Sequence, residues 1–181
     1  MTRESPPAGR LLFTGPSNVG KTKRTAEALQ AWVEGHGTEG VVVLDFAPEV
    51  ERDGRLLGGR LTRFLDIPEG VWYGVIDAHA PRAAASSPAE ASQLAGENAT
   101  RARSLLETAP TPTAAFVNDA TIPFQAAGSD VTRLFEWLDP ATVAVVNALE
   151  SDELGRDDEI SRREKRVLDR LRSWADTNRR L

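Results

Sequence analysis

The residues best equipped for chemistry lie near the amino end, where Gly15-Pro16-Ser17-Asn18-Val19-Gly20-Lys21-Thr22 sets four residues between two glycines and follows the second with a lysine and a hydroxyl. Each residue type has a task that suits an anion rich in oxygen. Glycines let the backbone fold tightly with its N–H groups turned inward, the lysine adds a full positive charge, and the threonine hydroxyl can ligate a divalent cation. Gly15 through Lys23 are therefore the candidate contacts to a phosphate chain, with Lys21 placed to act on its outer phosphates.

A cation held beside phosphates needs a carboxylate as well as Thr22, and three aspartates follow apolar runs. Asp45 ends Val41-Val-Val-Leu-Asp, Asp77 ends Val75-Ile-Asp, and Asp119 ends Phe116-Val-Asn-Asp. Asp119 is the favoured metal-side residue, with Thr121 close by to add a hydroxyl. Asp45 is the next candidate, and Asp77 reads more simply as a turn residue. No glutamate follows Asp119, whose neighbour is Ala120, so Glu49 in Asp45-Phe-Ala-Pro-Glu is the candidate to orient a nucleophile. A solvent-facing role for Glu49 competes with that reading.

Positioning these residues requires alternating strands and helices. Arg10–Thr14 reads as a strand and Lys21–Glu34 as a helix with one apolar face; Val41–Asp45 is a continuous apolar run of the kind buried in a parallel sheet. Residues 50–70 carry four glycines and read as an irregular loop with room for a short helix. Strands are expected at Val71–Asp77, Ala114–Asp119 and Ala141–Asn147, with the stretch Ala78–Ser87 between them too rich in Ala, Pro and Ser for regular structure. Ser87-Pro88-Ala89-Glu90 has an N-cap serine, a first-turn proline and a third-position glutamate, so a helix should run from there to about Glu107. Helices are also expected at Asp130–Leu138 and from Ile160 to Asn178. The expected fold is a single α/β domain over 1–181, a three-layer sandwich around a mainly parallel five-stranded sheet, with residues 1–9 flexible.

In its Gly15–Thr22 motif and its alternating layout the chain resembles the P-loop NTPase superfamily, within it the RecA-like members. The resemblance implies ATP and Mg2+ as cofactors, with hydrolysis of the γ-phosphate or its transfer to a small-molecule acceptor. A nucleotide-dependent module that binds a protein partner with negligible turnover is the alternative. The pattern N/T-K-x-D of guanine-specific GTPases is not met by Asn147-Ala-Leu-Glu150. The Gly-rich turn, the strand Phe116-Val-Asn-Asp-Ala-Thr121 and the stretch from Val146-Asn147 to Arg162-Arg163 also resemble the adenosylcobinamide kinase group. Members that transfer GMP use a histidine beyond the second strand, and none occurs between His36 and His79.

The composition narrows the partners. The 181 residues contain no cysteine and two histidines, so any metal is held by oxygen, as magnesium is. A net charge of −5 argues against nucleic acid as a partner, and no apolar run is long enough to span a membrane. The opening residues lack the apolar stretch of an export signal, which makes the cytoplasm the default expectation. Arg162, Arg163, Lys165, Arg166, Arg170 and Arg172 alternate with acids near the last helix and read as a solvated face. The functional alternative is Arg162 or Arg163 reaching the γ-phosphate, from the same chain or across a dimer. His79 reads as a solvated loop residue that could approach a substrate.

Overall fold

The computed structural model describes residues 6–181. The expected flexibility at residues 1–9 thus falls partly outside the described residues; Pro6–Ala8 are irregular and the first strand begins at Gly9. The main sheet has six strands: β1 (Gly9–Gly15), β2 (Val41–Asp45), β5 (Trp72–Val75), β6 (Ala114–Asn118), β7 (Val143–Leu149) and β8 (Thr177–Arg180). Their order is β5-β2-β6-β7-β1-β8, and every pairing is parallel. The expected count of five is corrected by β8, which sits at the edge beside β1.

Helices cover both faces because the strands are apolar on both. Helix α1 (Lys21–His36) lays Ala26, Ala28 and Leu29 against Phe13, Val43, Phe116 and Val145. On the other face Ala102 of α3 (Pro88–Thr108), Leu134 and Leu138 of α4 (Thr132–Leu138), and Leu168 and Leu171 of α5 (Glu159–Trp174) pack on Leu12, Leu44, Val117 and Val146. Central strands β2 and β6 are buried along their whole length, as their unbroken apolar runs require. Among the described residues no helix is long and apolar enough to cross a membrane.

Two stretches expected to be irregular are ordered. Residues 49–58 form an antiparallel hairpin, β3 (Glu49–Arg52) and β4 (Arg55–Gly58), and Leu61–Arg63 is one turn of 3-10 helix. The hairpin turns on Asp53-Gly54 with φ of 52° and 73°, the left-handed pair that matches the twist of two-residue β-turns. Within Ala78–Ser87 the short helix α2 (Pro81–Ala84) starts on a proline. The last helix stops at Trp174, and the chain turns directly into β8.

The cap expected for α3 is present, in a modified form. The Ser87 hydroxyl accepts from the Glu90 N–H at 3.1 Å, while the Glu90 carboxylate reaches past it to the N–H and hydroxyl of Ser86 at 2.7 and 2.6 Å. Ser87→Ala should lower stability by about 1 kcal/mol, readable as a shift in the urea midpoint at unchanged slope.

Candidate functional site

The carboxyl ends of β1, β2, β6 and β7 meet at one edge of the sheet, and there the polar residues of the motif and of the aspartate strands come together. Between β1 and α1 the turn carries Asn18 at φ 61° and Gly20 at φ 102°, both left-handed. This conformation costs glycine little, and asparagine tolerates it better than most other residues. No side chain caps the start of α1, and no acidic residue lies in its first turn. Among the described residues, no acceptor meets the N–H groups of Ser17, Asn18, Val19 and Gly20. A helix start left bare in this way presents partial positive charge to whatever enters the pocket.

Lys21 is buried at 9% exposure and folds its Nζ onto the carbonyl of Pro16 at 2.5 Å. Burial pulls its pKa below the ordinary lysine value, while the charges of Asp119 and Glu153 pull it back up. The ammonium group is thus held over its own turn by a single backbone carbonyl.

Beneath the turn runs a polar ladder that joins adjacent strands. Asn147 donates its Nδ2 to Thr25 Oγ1 and Asn118 Oδ1, both at 2.8 Å, and its Oδ1 accepts from the Asp119 N–H at 2.8 Å. Asn118 Oδ1 also accepts from the Thr22 hydroxyl at 3.2 Å, and Asn118 Nδ2 donates to Asp45 Oδ1 at 2.8 Å and to the Gly59 carbonyl at 2.9 Å. Asn118 and Asn147 are almost fully buried with their hydrogen-bonding groups met, so the ladder fixes where Thr22 and Asp119 stand.

The two leading aspartates have different surroundings. Asp45 is fully buried and accepts from Leu61 N–H at 2.8 Å, Tyr73 hydroxyl at 2.9 Å, Asn118 Nδ2 and, at 3.3 Å, Ala47 N–H. Burial pushes its pKa up and these four donors pull it down. Such a carboxylate is a structural anchor for the 3-10 turn and the edge strand, and it does not line the pocket. Asp119 does line it, with its backbone held at φ 60°. Burial pushes the Asp119 carboxyl up to about 7; Lys21 and Arg82 oppose this, and Glu164 and Asp45 reinforce it.

A cavity of about 410 Å³ opens above these groups. Ser17, Asn18, Gly20, Lys21, Thr22 and Lys23 form one side of it, and Asp119 and Asn147 the floor. Of the remaining predicted residues, Gly15, Pro16 and Val19 belong to the turn without lining the cavity. Glu49 lies on the hairpin outside it, accepting from the Arg60 N–H and from Arg63 Nε, both at 3.1 Å. Thr121 is buried and gives its hydroxyl to Glu164. His79 pairs with Glu97 at 2.6 Å and Arg163 with Glu159 at 2.9 Å, and neither they nor Arg162 line the cavity.

The arginines that do line it are Arg63 and Arg82, which the sequence did not single out. Arg82 pairs with Glu164 at 2.6 Å, both side chains being only 7% exposed. Glu164 belongs to the mixed-charge helix read as a solvated face, and its burial corrects that reading. Its i−3, i+3 and i+4 neighbours Ser161, Val167 and Leu168 are all buried, a spacing that puts position 164 on the inward face.

Among the described residues no group of three or more His, Asp or Glu side chains forms a metal cage. The Thr22 hydroxyl and the Asp119 carboxylate are among the side-chain oxygens at the pocket, a pair that suits a cation retaining water and phosphate ligands. No family model matches the chain, and no curated protein matches it either.

Proposed function

We propose that the chain is a Mg2+-dependent, ATP-binding P-loop NTPase that passes the γ-phosphate to a small-molecule acceptor or to water. The observation that carries this reading is the meeting of an uncapped helix start, Lys21, Thr22 and Asp119 in one pocket. Backbone N–H groups and the Lys21 ammonium suit the phosphate oxygens, and both are in place before any ligand arrives, which lowers the cost of ordering them. The Thr22 hydroxyl spends its proton on Asn118, which leaves its oxygen lone pairs for Mg2+, with Asp119 as the acidic partner. Bound Mg2+ would neutralise charge developing on the transferred phosphoryl group.

Transfer to an acceptor is favoured over hydrolysis because Glu49, the candidate to orient water, is committed to Arg60 and Arg63. The same observation supports a second reading, a module that holds ATP without turning it over and presents the hairpin loops to a protein. Phosphate release and transfer assays with and without Mg2+ separate the two. Mg2+-stimulated turnover supports the enzyme, and ATP binding with no turnover in the presence of small-molecule acceptors supports the module.

A pH dependence follows from Asp119. With its carboxyl pushed up to about 7, the free site is mostly protonated at pH 6 and mostly ionised at pH 8. Mg2+ must displace that proton, so affinity for Mg2+·ATP should rise with pH by up to roughly tenfold per unit below pH 7 and level off above it. Calorimetric titrations from pH 5.5 to 8.5 check this. Asp119→Asn should retain only the slope due to the nucleotide's own phosphates.

A further inference from the structure

The rim of the cavity on the hairpin side differs in character from the turn. Pro48, Leu56 and Phe64 line it, and Arg63 stands among them. Phe64 is 50% exposed, although it directly follows the 3-10 turn that Asp45 anchors through the Leu61 N–H. A large aromatic ring placed at a cavity by an anchored turn, and left half open to solvent, is a platform for another flat ring.

The positive charge beside it is available. The Arg63 side chain is 48% exposed and donates only its Nε, to Glu49 at 3.1 Å; among the described residues nothing meets its two Nη groups. Glu49 is itself shared, since it also accepts from the Arg60 N–H. Arg82, the other arginine of the cavity, is spent: it is 7% exposed and gives Nη1 to Ser161 and Nη2 to Glu164, whose second oxygen accepts from Thr121 and Gln125. Among the lining side chains Lys21, Lys23, Arg63 and Arg82 are set against only Asp119 and Glu164, so the cavity favours negative charge.

Two Nη groups side by side suit the paired oxygens of a carboxylate or a phosphate monoester. A nucleotide on the turn leaves them unmet, because its phosphates are engaged there and its base carries no charge. The rim is also displaced from the turn. Leu61 is tied to the end of β2, and the order β2-β6-β7-β1 puts three pairings between that strand and the one that carries the turn. At about 4.8 Å per strand the two strand ends are roughly 14 Å apart.

We propose that this rim is a binding site for a second small ligand, a flat ring that bears an oxyanion, with the ring on Phe64 and the oxyanion on the Arg63 Nη groups. As a binding site it stands apart from the nucleotide reading; its occupation together with a nucleotide rests on that reading.

The test uses the full chain with isotope-labelled Phe rings and Arg side chains, followed by NMR at low ionic strength with and without Mg2+·ADP. Benzoate and phenyl phosphate are titrated beside benzamide, which keeps the ring without the charge, and beside acetate and inorganic phosphate, which keep the charge without the ring. With Mg2+·ADP present, at least one of the two probes should give saturable shifts at the Phe64 ring and the Arg63 Nε–H. That probe should bind about tenfold or more tighter than benzamide and than its ringless anion. Arg63→Gln should remove the preference over benzamide, and Phe64→Ala the preference over the ringless anion.

No saturable shift at these two groups from either probe overturns the site, and so does binding no tighter than that of benzamide or of the ringless anion. Displacement of the probes by ADP overturns it too, and a shift of the Phe64 ring on adding ADP alone then assigns the platform to the base. Displacement by a non-hydrolysable ATP analogue but not by ADP assigns Arg63 to the γ-phosphate, which also overturns the proposal. Saturable shifts at the same two groups in a chain that takes no nucleotide support the site and sink only the nucleotide reading.

Discussion

Lys21→Ala is expected to weaken Mg2+·ATP binding by roughly ten- to a hundredfold, the factor that corresponds to losing a charge-assisted contact of about 1.5–3 kcal/mol. The ligand-free protein should lose little. In that state the ammonium group is buried, its pKa is pulled down by the burial, and its hydrogen bond goes to the Pro16 carbonyl of its own turn. Thermal denaturation makes the contrast visible. A ligand at about a hundred times its Kd stabilises a folded protein by about 2.7 kcal/mol, so wild type should gain several degrees from ATP and the variant, at the same ATP concentration, at most about half as much. A variant that melts far below wild type without ligand would place Lys21 in the structural core instead.

Asp45→Ala should do the opposite, lowering stability by about 3–5 kcal/mol. The change leaves the Leu61 N–H, the Tyr73 hydroxyl and Asn118 Nδ2 buried without their acceptor, and each unmet donor costs about 1–3 kcal/mol. Loss of that anchor also frees the 3-10 turn at Leu61–Arg63 and slackens the ladder that holds Thr22. Urea titration measures the first effect. Whatever fraction of Asp45→Ala remains folded should still respond to Mg2+, whereas Asp119→Ala should fold normally and lose the tightening of ATP binding by Mg2+. Exchange of these two phenotypes would make Asp45 the metal-side residue.

The contrast between the two aspartates shows what the sequence could and could not reveal. Both end apolar runs, and period and composition mark both as lying at the carboxyl edge of the sheet. Their roles diverge through donors far away in sequence, Leu61 and Tyr73 for Asp45, which no local pattern announces. Strand β8 was missed for a related reason: Thr177-Asn-Arg-Arg180 is exposed throughout and is a strand only because it pairs with the backbone of β1. The hairpin at 49–58 was also missed, although a local signal for it was present. Asp53-Gly54 between two short runs is a strong turn signal, obscured by the glycines that follow it.

The strand and helix flanking residues 15–20, the strands at Val41 and Ala114 and the helix capped by Ser87 read correctly because each rests on local geometry. Arg82, Gln125 and Glu164 did not, because their meaning lies in a meeting of α2, the segment after β6, and α5.

Isothermal titration of the full chain with ATP, in matched buffers with and without Mg2+, bears most directly on the central claim. The account predicts saturable one-to-one binding that is tighter with Mg2+, tighter for ATP than for AMP, and weakened by Lys21→Ala. No heat and no thermal protection with ATP in the presence of Mg2+ would contradict it.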